Sequence, residues 1–457
     1  MPETQYQERK MYSKFPDNFL FGAATSSLQV EGSPNADGAG LTTWQVAANT
    51  PGIIRDGCNF EVACDHFNRY RDDIKLMKDM GIQAYRFSIN WARIFPDGYG
   101  KFNQKGMDFY KRLSEELLKQ GIRPFATLHH WELPQTLEEQ FGGWRAKETA
   151  RYFGEYAATV GKELSGLVHN YFTVNEISNF TDACYNTQGA YFPPMVKCSL
   201  KEERQAVHNA LLGHGLAVQA LRANASGELE IGLAENPAVY IPAIDTPENV
   251  KAANLAFRIM NASKLTAICE GKYPEEYLSE LKGDAPEFTE EEMKIIHAPL
   301  DFIGLNIYVG EYVVADGDGY KILPFPEGYP TTQMSWGRVT PEALYWGVRS
   351  INDLWGAKKY YITENGCATL DKVDNGEVYD TERVMFLRSY LQNLLRAGEE
   401  NINIAGYFAW SFFDNFEWRE GYTKRFGIVR VDYDTQKRTP KLSAKFYQEL
   451  IKSKQLL

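Results

Sequence analysis

Eight short runs of apolar and aromatic residues recur along the chain, at positions 19–24, 84–89, 124–129, 170–174, 229–234, 301–306, 360–363 and 405–410. Each is nearly continuous in hydrophobicity rather than alternating, the mark of parallel strands covered on both faces. Between several of them the period changes to that of a helix. Tyr70, Ile74 and Met77 fall at i, i+4 and i+7, and this stretch ends at Gly81. Phe109, Leu113 and Leu117 repeat the arrangement and stop at Gly121, a glycine suited to the left-handed position that closes a helix. Strand and helix alternating eight times predict an α/β fold, a single (β/α)8 TIM barrel with long βα loops, rather than an open doubly wound sheet. An open dinucleotide-binding sheet would want G-x-G-x-x-G straight after a strand, and the sequence has none.

A length of 457 residues would ordinarily suggest two or three domains. One closed barrel with insertions can absorb over about 400 residues, however, and no linker or low-complexity stretch divides this chain. The expectation is one catalytic domain over residues 1–457. Residues 309–338, rich in Gly, Pro and aromatics, read as an elaborated loop over the barrel mouth with ADGDGY at 315–320 as its turn. The Asp-x-Asp-Gly fragment lacks the rest of a calcium loop, so no metal is expected there.

The formal charge is −11 and no Lys/Arg-rich run interrupts it, which argues against nucleic acid and other polyanions and favours small neutral or cationic ligands. No apolar run approaches the ~18 residues of a membrane span. The polar stretch 1–12 lacks the apolar core of a secretory signal. The six cysteines are scattered without metal-ligand spacing. A cytoplasmic protein with reduced thiols is therefore expected. Assembly state leaves no readable mark.

In such barrels, chemistry gathers where strands end at their C-terminal face. The fourth run leads into Thr173-Val174-Asn175-Glu176, and the seventh into Thr363-Glu364-Asn365-Gly366. Each places a carboxylate where an apolar strand gives way to a loop. Two such groups in one cleft make a candidate acid/base pair; equally, each could cap the helix that follows. The barrel pattern alone leaves both readings open.

The flanking residues resemble a family. Thr-x-Asn-Glu and Ile-Thr-Glu-Asn-Gly are similar to the two signatures of glycoside hydrolase family 1, the β-glucosidase family. The resemblance also takes in FGAATSSLQVEG at 21–32, VACDH at 62–66, YRFSINWAR at 85–93, LHHWELPQ at 128–135, FIGLNIY at 302–308 and YFAWSFFDNFEWREGYTKRFG at 407–427. It implies a retaining exo-β-glycosidase without a cofactor or metal, acting on small neutral β-glycosides or oligosaccharides. Glu364 would attack the anomeric carbon, and Glu176 would protonate the leaving oxygen and later deprotonate water, with their carboxyls roughly 5–5.5 Å apart. Arg86 and Tyr308 match the residues that support the nucleophile. Gln29, His130, Asn175, Glu417 and Trp418 match the contacts to the non-reducing sugar, Trp410 the indole beneath its ring, and Trp336 the aglycone-side tryptophan.

The sequence departs from the family pattern at Ile177, where proline usually follows the acid/base. Isoleucine there is found in the 6-phospho-β-glycosidases of the same family, so that activity is the rival reading, with transglycosylation as a second. Glu417 counts against the phospho-sugar, because a carboxylate near O6 would repel a dianion. Leu28 in place of an aromatic and Asn261-Ala262 in place of Asp-Pro bear on pocket shape and packing.

Overall fold

The computed structural model describes residues 14–456, so the stretch 1–12 weighed above as a signal lies outside the described residues. Eight parallel strands close on one another in chain order: β1 (Leu20–Ala24), β2 (Ala84–Ser88), β3 (Arg123–His129), β4 (Asn170–Asn175), β5 (Glu230–Glu235), β6 (Ile303–Asn306), β7 (Tyr360–Asn365) and β8 (Ile404–Trp410). β8 pairs back onto β1 with Trp410 beside Ala24, which closes the barrel. Every apolar run forms one of these strands, with ends that agree to within two residues.

Helices fill the intervals. α1 (His66–Asp79) buries Tyr70, Ile74 and Met77, and α2 (Gln104–Lys119) buries Phe109, Leu113 and Leu117. Gly81 and Gly121 follow with φ of +80° and +72°, a conformation that favours glycine. α3 (Lys147–Glu163) and α4 (Leu200–Asn224) pack side by side, and α5 (Pro247–Met260), α6 (Ala343–Trp355), α7 (Thr381–Glu399) and α8 (Leu442–Ser453) continue the ring.

Two apolar shells result. The larger lies between strands and helices. The smaller fills the barrel, where Phe125, Phe172, Phe302, Tyr361 and Phe408 pack ring against ring with centroids 5.0–6.2 Å apart. Space for these rings comes from glycine: a Cβ on Gly22 would sit 2.5 Å from the Phe408 ring, and one on Gly232 equally close to Phe302.

The strands bearing the two candidate carboxylates are irregular at their ends. Tyr361 packs inside the barrel and Ile362 in the outer shell. Strict alternation would therefore turn Glu364 outward with Ile362. The pairing of β7 slips against both β6 and β8 beyond Ile362, and the extra residue turns Glu364 inward. β4 slips against β5 between Phe172 and Asn175.

The 309–338 segment differs from a plain loop. Glu311–Asp316 and Gly319–Ile322 form a hairpin, and Tyr240–Pro242 adds a parallel third strand. Val313 is fully buried within it, and the Asp-Gly pair that suggested a turn supplies one, with Gly317 at φ +57°.

Candidate active site

A cavity of about 930 Å³ opens at the C-terminal end of the barrel. Glu176, Glu364, His130, Tyr308, Trp336, Trp410, Glu417 and Trp418 line it, eight of the residues picked out from the sequence. Gln29, Asn175 and Arg86 stand behind that wall, each essentially buried.

Arg86 lies at the centre of β2 rather than toward its end, with its guanidinium 4.9 Å from the Phe172 ring at the top of the aromatic plug. Nη1 donates to Glu364 Oε1 (2.6 Å) and to the Thr363 carbonyl (3.2 Å), Nη2 to Asn175 Oδ1 (2.5 Å), and Nε to Thr127 Oγ1 (3.1 Å). The other carboxylate oxygen of Glu364 accepts from the Tyr308 hydroxyl at 2.8 Å. Burial pushes the Glu364 carboxyl upward, and the Arg86 charge opposes this together with hydrogen bonds from Arg86, Tyr308 and Asn306.

Glu176 has different company. Its Oε1 accepts from Asn306 Nδ2 (2.6 Å) and its Oε2 from Asn179 Nδ2. Among the described residues no ion pair reaches it. Burial and the Glu364 charge push it up to about 8, so it holds a proton at neutral pH. The same Asn306 amide also donates to Asn175 Oδ1 at 3.0 Å, so one short side chain ties Glu176 to the neighbouring sugar-contact candidate.

The sugar-contact candidates form a connected wall. Arg86 and Asn306 both donate to Asn175 Oδ1, which turns its Nδ2 toward His130 Nε2 at 3.2 Å. His130 is neutral, its pKa driven well down by burial. Its ring lies nearly parallel to Trp410 and Trp418 at 5.7 and 5.9 Å. Gln29 Nε2 donates to the Phe416 carbonyl (2.9 Å), Asn415 Oδ1 (3.1 Å) and Glu417 Oε2 (3.3 Å). Burial and the Glu364 charge push Glu417 up to about 8. It therefore meets a ligand as a neutral carboxyl near pH 7, a weaker barrier to a phosphate than the sequence reading assumed. Trp336 stands at the mouth, 45% exposed.

Sequence reasoning passed over Asn306, Asn179, Trp131 and Glu235. Asn306 ends the sixth run, and a polar residue in that place could have been singled out. Glu235 sits one residue beyond the fifth run as it was drawn. Trp131 lies inside LHHWELPQ; it lines the cavity, packs 4.2 Å from Trp418 and donates from its indole to the Asn175 carbonyl at 2.9 Å. Asn179, the third residue of the short helix Ile177–Phe180 that follows Glu176, carried no signal of a role at the site. Glu176, Trp131 and Trp418 have φ of +51°, +80° and +49°, strained values for non-glycine residues of the kind that gather at functional sites.

A carboxyl that burial keeps protonated beside one gripped by a guanidinium and a phenol, in one buried hollow walled by indoles and amides at the C-terminal face of an eight-stranded barrel, defines a glycoside hydrolase. The family model described as glycosyl hydrolase family 1 matches residues 11–456, and the chain belongs to that family. It is similar to Beta-glucosidase A of Acetivibrio thermocellus, 40% identical over 449 residues that cover 96% of this chain and 98% of that one. Against the 1,4-beta-D-glucan glucohydrolase of Thermotoga neapolitana it is 39% identical over 445 residues, 96% and 98% of the two chains. Among solved structures, the family 1 β-glucosidase of Thermotoga maritima in complex with isofagomine lactam superposes with a TM-score of 0.88. That chain is 39% identical, and the match covers 97% of this chain and all of that one.

Proposed function

We propose that the protein is a retaining exo-β-glucosidase acting on small neutral β-glucosides and oligosaccharides, with Glu364 as nucleophile and Glu176 as general acid/base. The observation that carries this reading is the unequal setting of the pair: Arg86 and Tyr308 grip Glu364, while Glu176 keeps a proton beside it. A Glu364 oxygen attacks the anomeric carbon as the bond to the aglycone oxygen breaks, and that oxygen takes the proton of Glu176. Water then gives a proton to Glu176 and attacks the same carbon, which frees Glu364. Two inversions leave the anomer unchanged. Asn175 and Glu417 hold sugar hydroxyls, and Trp410 offers its indole face to the pyranose ring. The six cysteines are all unpaired, which supports a reducing, cytoplasmic setting.

Hydrolysis of an aryl β-glucoside followed by NMR gives the β-anomer of glucose first; the α-anomer first would overturn the mechanism. A panel of aryl glycosides including the 6-phosphoglucoside, compared by kcat/KM, ranks glucose above the phospho-sugar. The reverse order would overturn the substrate assignment.

A further inference from the structure

We propose that Glu235 is a positioning residue for the acid/base: its carboxylate clamps the turn that carries Glu176, and its charge helps keep the Glu176 proton in place. This rests on the reading of Glu176 as acid/base.

Glu235 ends β5, and Glu176 is the first residue beyond the neighbouring β4. Two hydrogen bonds join these strand ends. The Glu176 N–H donates to the Ala234 carbonyl at 2.8 Å, and the Ile177 N–H donates to Glu235 Oε2 at 3.0 Å. Glu176 lies between the two anchors in the left-handed region, at φ +51° and ψ 77°. An L-residue stays there when its surroundings hold it. Glu235 is the acceptor that holds the far side of the turn.

A purely structural carboxylate in a buried place would be expected to sit in an ion pair. Lys264, whose charge acts on Glu235, instead donates to Asp182 Oδ2 at 3.2 Å. Among the described residues Glu235 Oε1 has no partner, although the side chain is 99% buried and belongs to the cavity wall. Its negative charge is thus left to act on its surroundings.

The charges around the pair give the sign of that action. Burial pushes Glu235 up to about 7, Asp182 adds to the rise, and Lys264 with the N–H groups of Ile177 and Asn236 opposes it. On the alkaline side Glu235 is ionised and joins Glu364 in raising the Glu176 pKa, against the pull of Arg86.

The test uses E235Q, E235L and, as control, E176A, each measured as kcat and kcat/KM against pH. Two substrates are compared, an alkyl β-glucoside that needs protonation on leaving and a dinitrophenyl β-glucoside that does not. E235Q keeps an acceptor for Ile177 N–H and loses the charge, so its basic limb moves to lower pH by about one unit. E235L loses both, so kcat on the alkyl glucoside falls by about tenfold or more, with KM little changed and a much smaller loss on the dinitrophenyl substrate. A basic limb for E235Q that overlies the wild type, or equal losses for E235L on both substrates, overturns the inference. If E176A itself shows no dependence on leaving group, the parent reading fails. If E176A shows it and the Glu235 variants do not, only the role of Glu235 falls.

Discussion

The ends of β4 and β7 present the same functional group to the same cavity and treat it in opposite ways. At β7, Glu364 meets a guanidinium and a phenol, and both favour its charged form. At β4, Glu176 meets two amides, with the carboxylates of Glu364 and Glu235 close enough to raise its pKa. Burial alone would drive both groups neutral. The division of labour therefore comes from the donors that neighbouring strands supply. Arg86 on β2 serves one side, and Asn306 on β6 the other. A carboxylate in such a barrel acquires its role from the strands beside it.

The comparison can be broken most directly at Glu364. E364Q removes the proposed nucleophile, and kcat falls by about 10⁵ or more with every leaving group; a loss confined to poor leaving groups would mean the two roles are reversed. E176Q is next, with a fall of about 10²–10⁴ on alkyl glucosides and much less in kcat/KM on dinitrophenyl glucoside. Y308F takes one donor from an ionised carboxylate, so kcat drops by about 10–100-fold. Because that donor stabilises the charged form, its removal raises the Glu364 pKa, and the acidic limb of kcat/KM moves to higher pH. An acidic limb that stays in place would show that Tyr308 does not tune the nucleophile. In the wild type the two limbs enclose a bell, since the proposed roles need Glu364 ionised and Glu176 protonated. Its basic side descends near pH 8, where Glu176 releases its proton; a profile flat into alkali would contradict the pairing. The smallest effect belongs to W336A at the half-exposed mouth, about threefold to tenfold in KM for aryl glucosides with kcat nearly kept. A large loss of kcat would place Trp336 nearer the reacting bond than its exposure suggests.

The barrel was legible because strands buried on both faces are apolar throughout, and eight such runs stand out even where their boundaries slip. Glu176 and Glu364 stood out as candidates because a carboxylate where an apolar run gives way to a loop breaks the pattern, yet that left a helix-capping role open until the flanking Thr-x-Asn-Glu and Ile-Thr-Glu-Asn-Gly residues were weighed. Which way Glu364 points was not, because the slipped register that turns it inward belongs to the pairing of β7 with its neighbours and leaves no trace in the order of residues. Asn306 was overlooked although it ends a run, as an amide becomes meaningful once the acid of a neighbouring strand faces it. The hairpin at Glu311–Ile322 was hidden by a composition of turn formers, although Tyr312-Val313-Val314 carries ordinary strand character. The charge state of Glu417 depends on burial and on Glu364, neither of which its own neighbours in sequence disclose.

The plug of rings under Arg86 makes the hollow a cul-de-sac. Traffic must then run in a fixed sequence: the aglycone backs out, water follows by the same doorway, and the freed sugar departs last. On the proposed activity an oligosaccharide is shortened from its tip, one unit per visit.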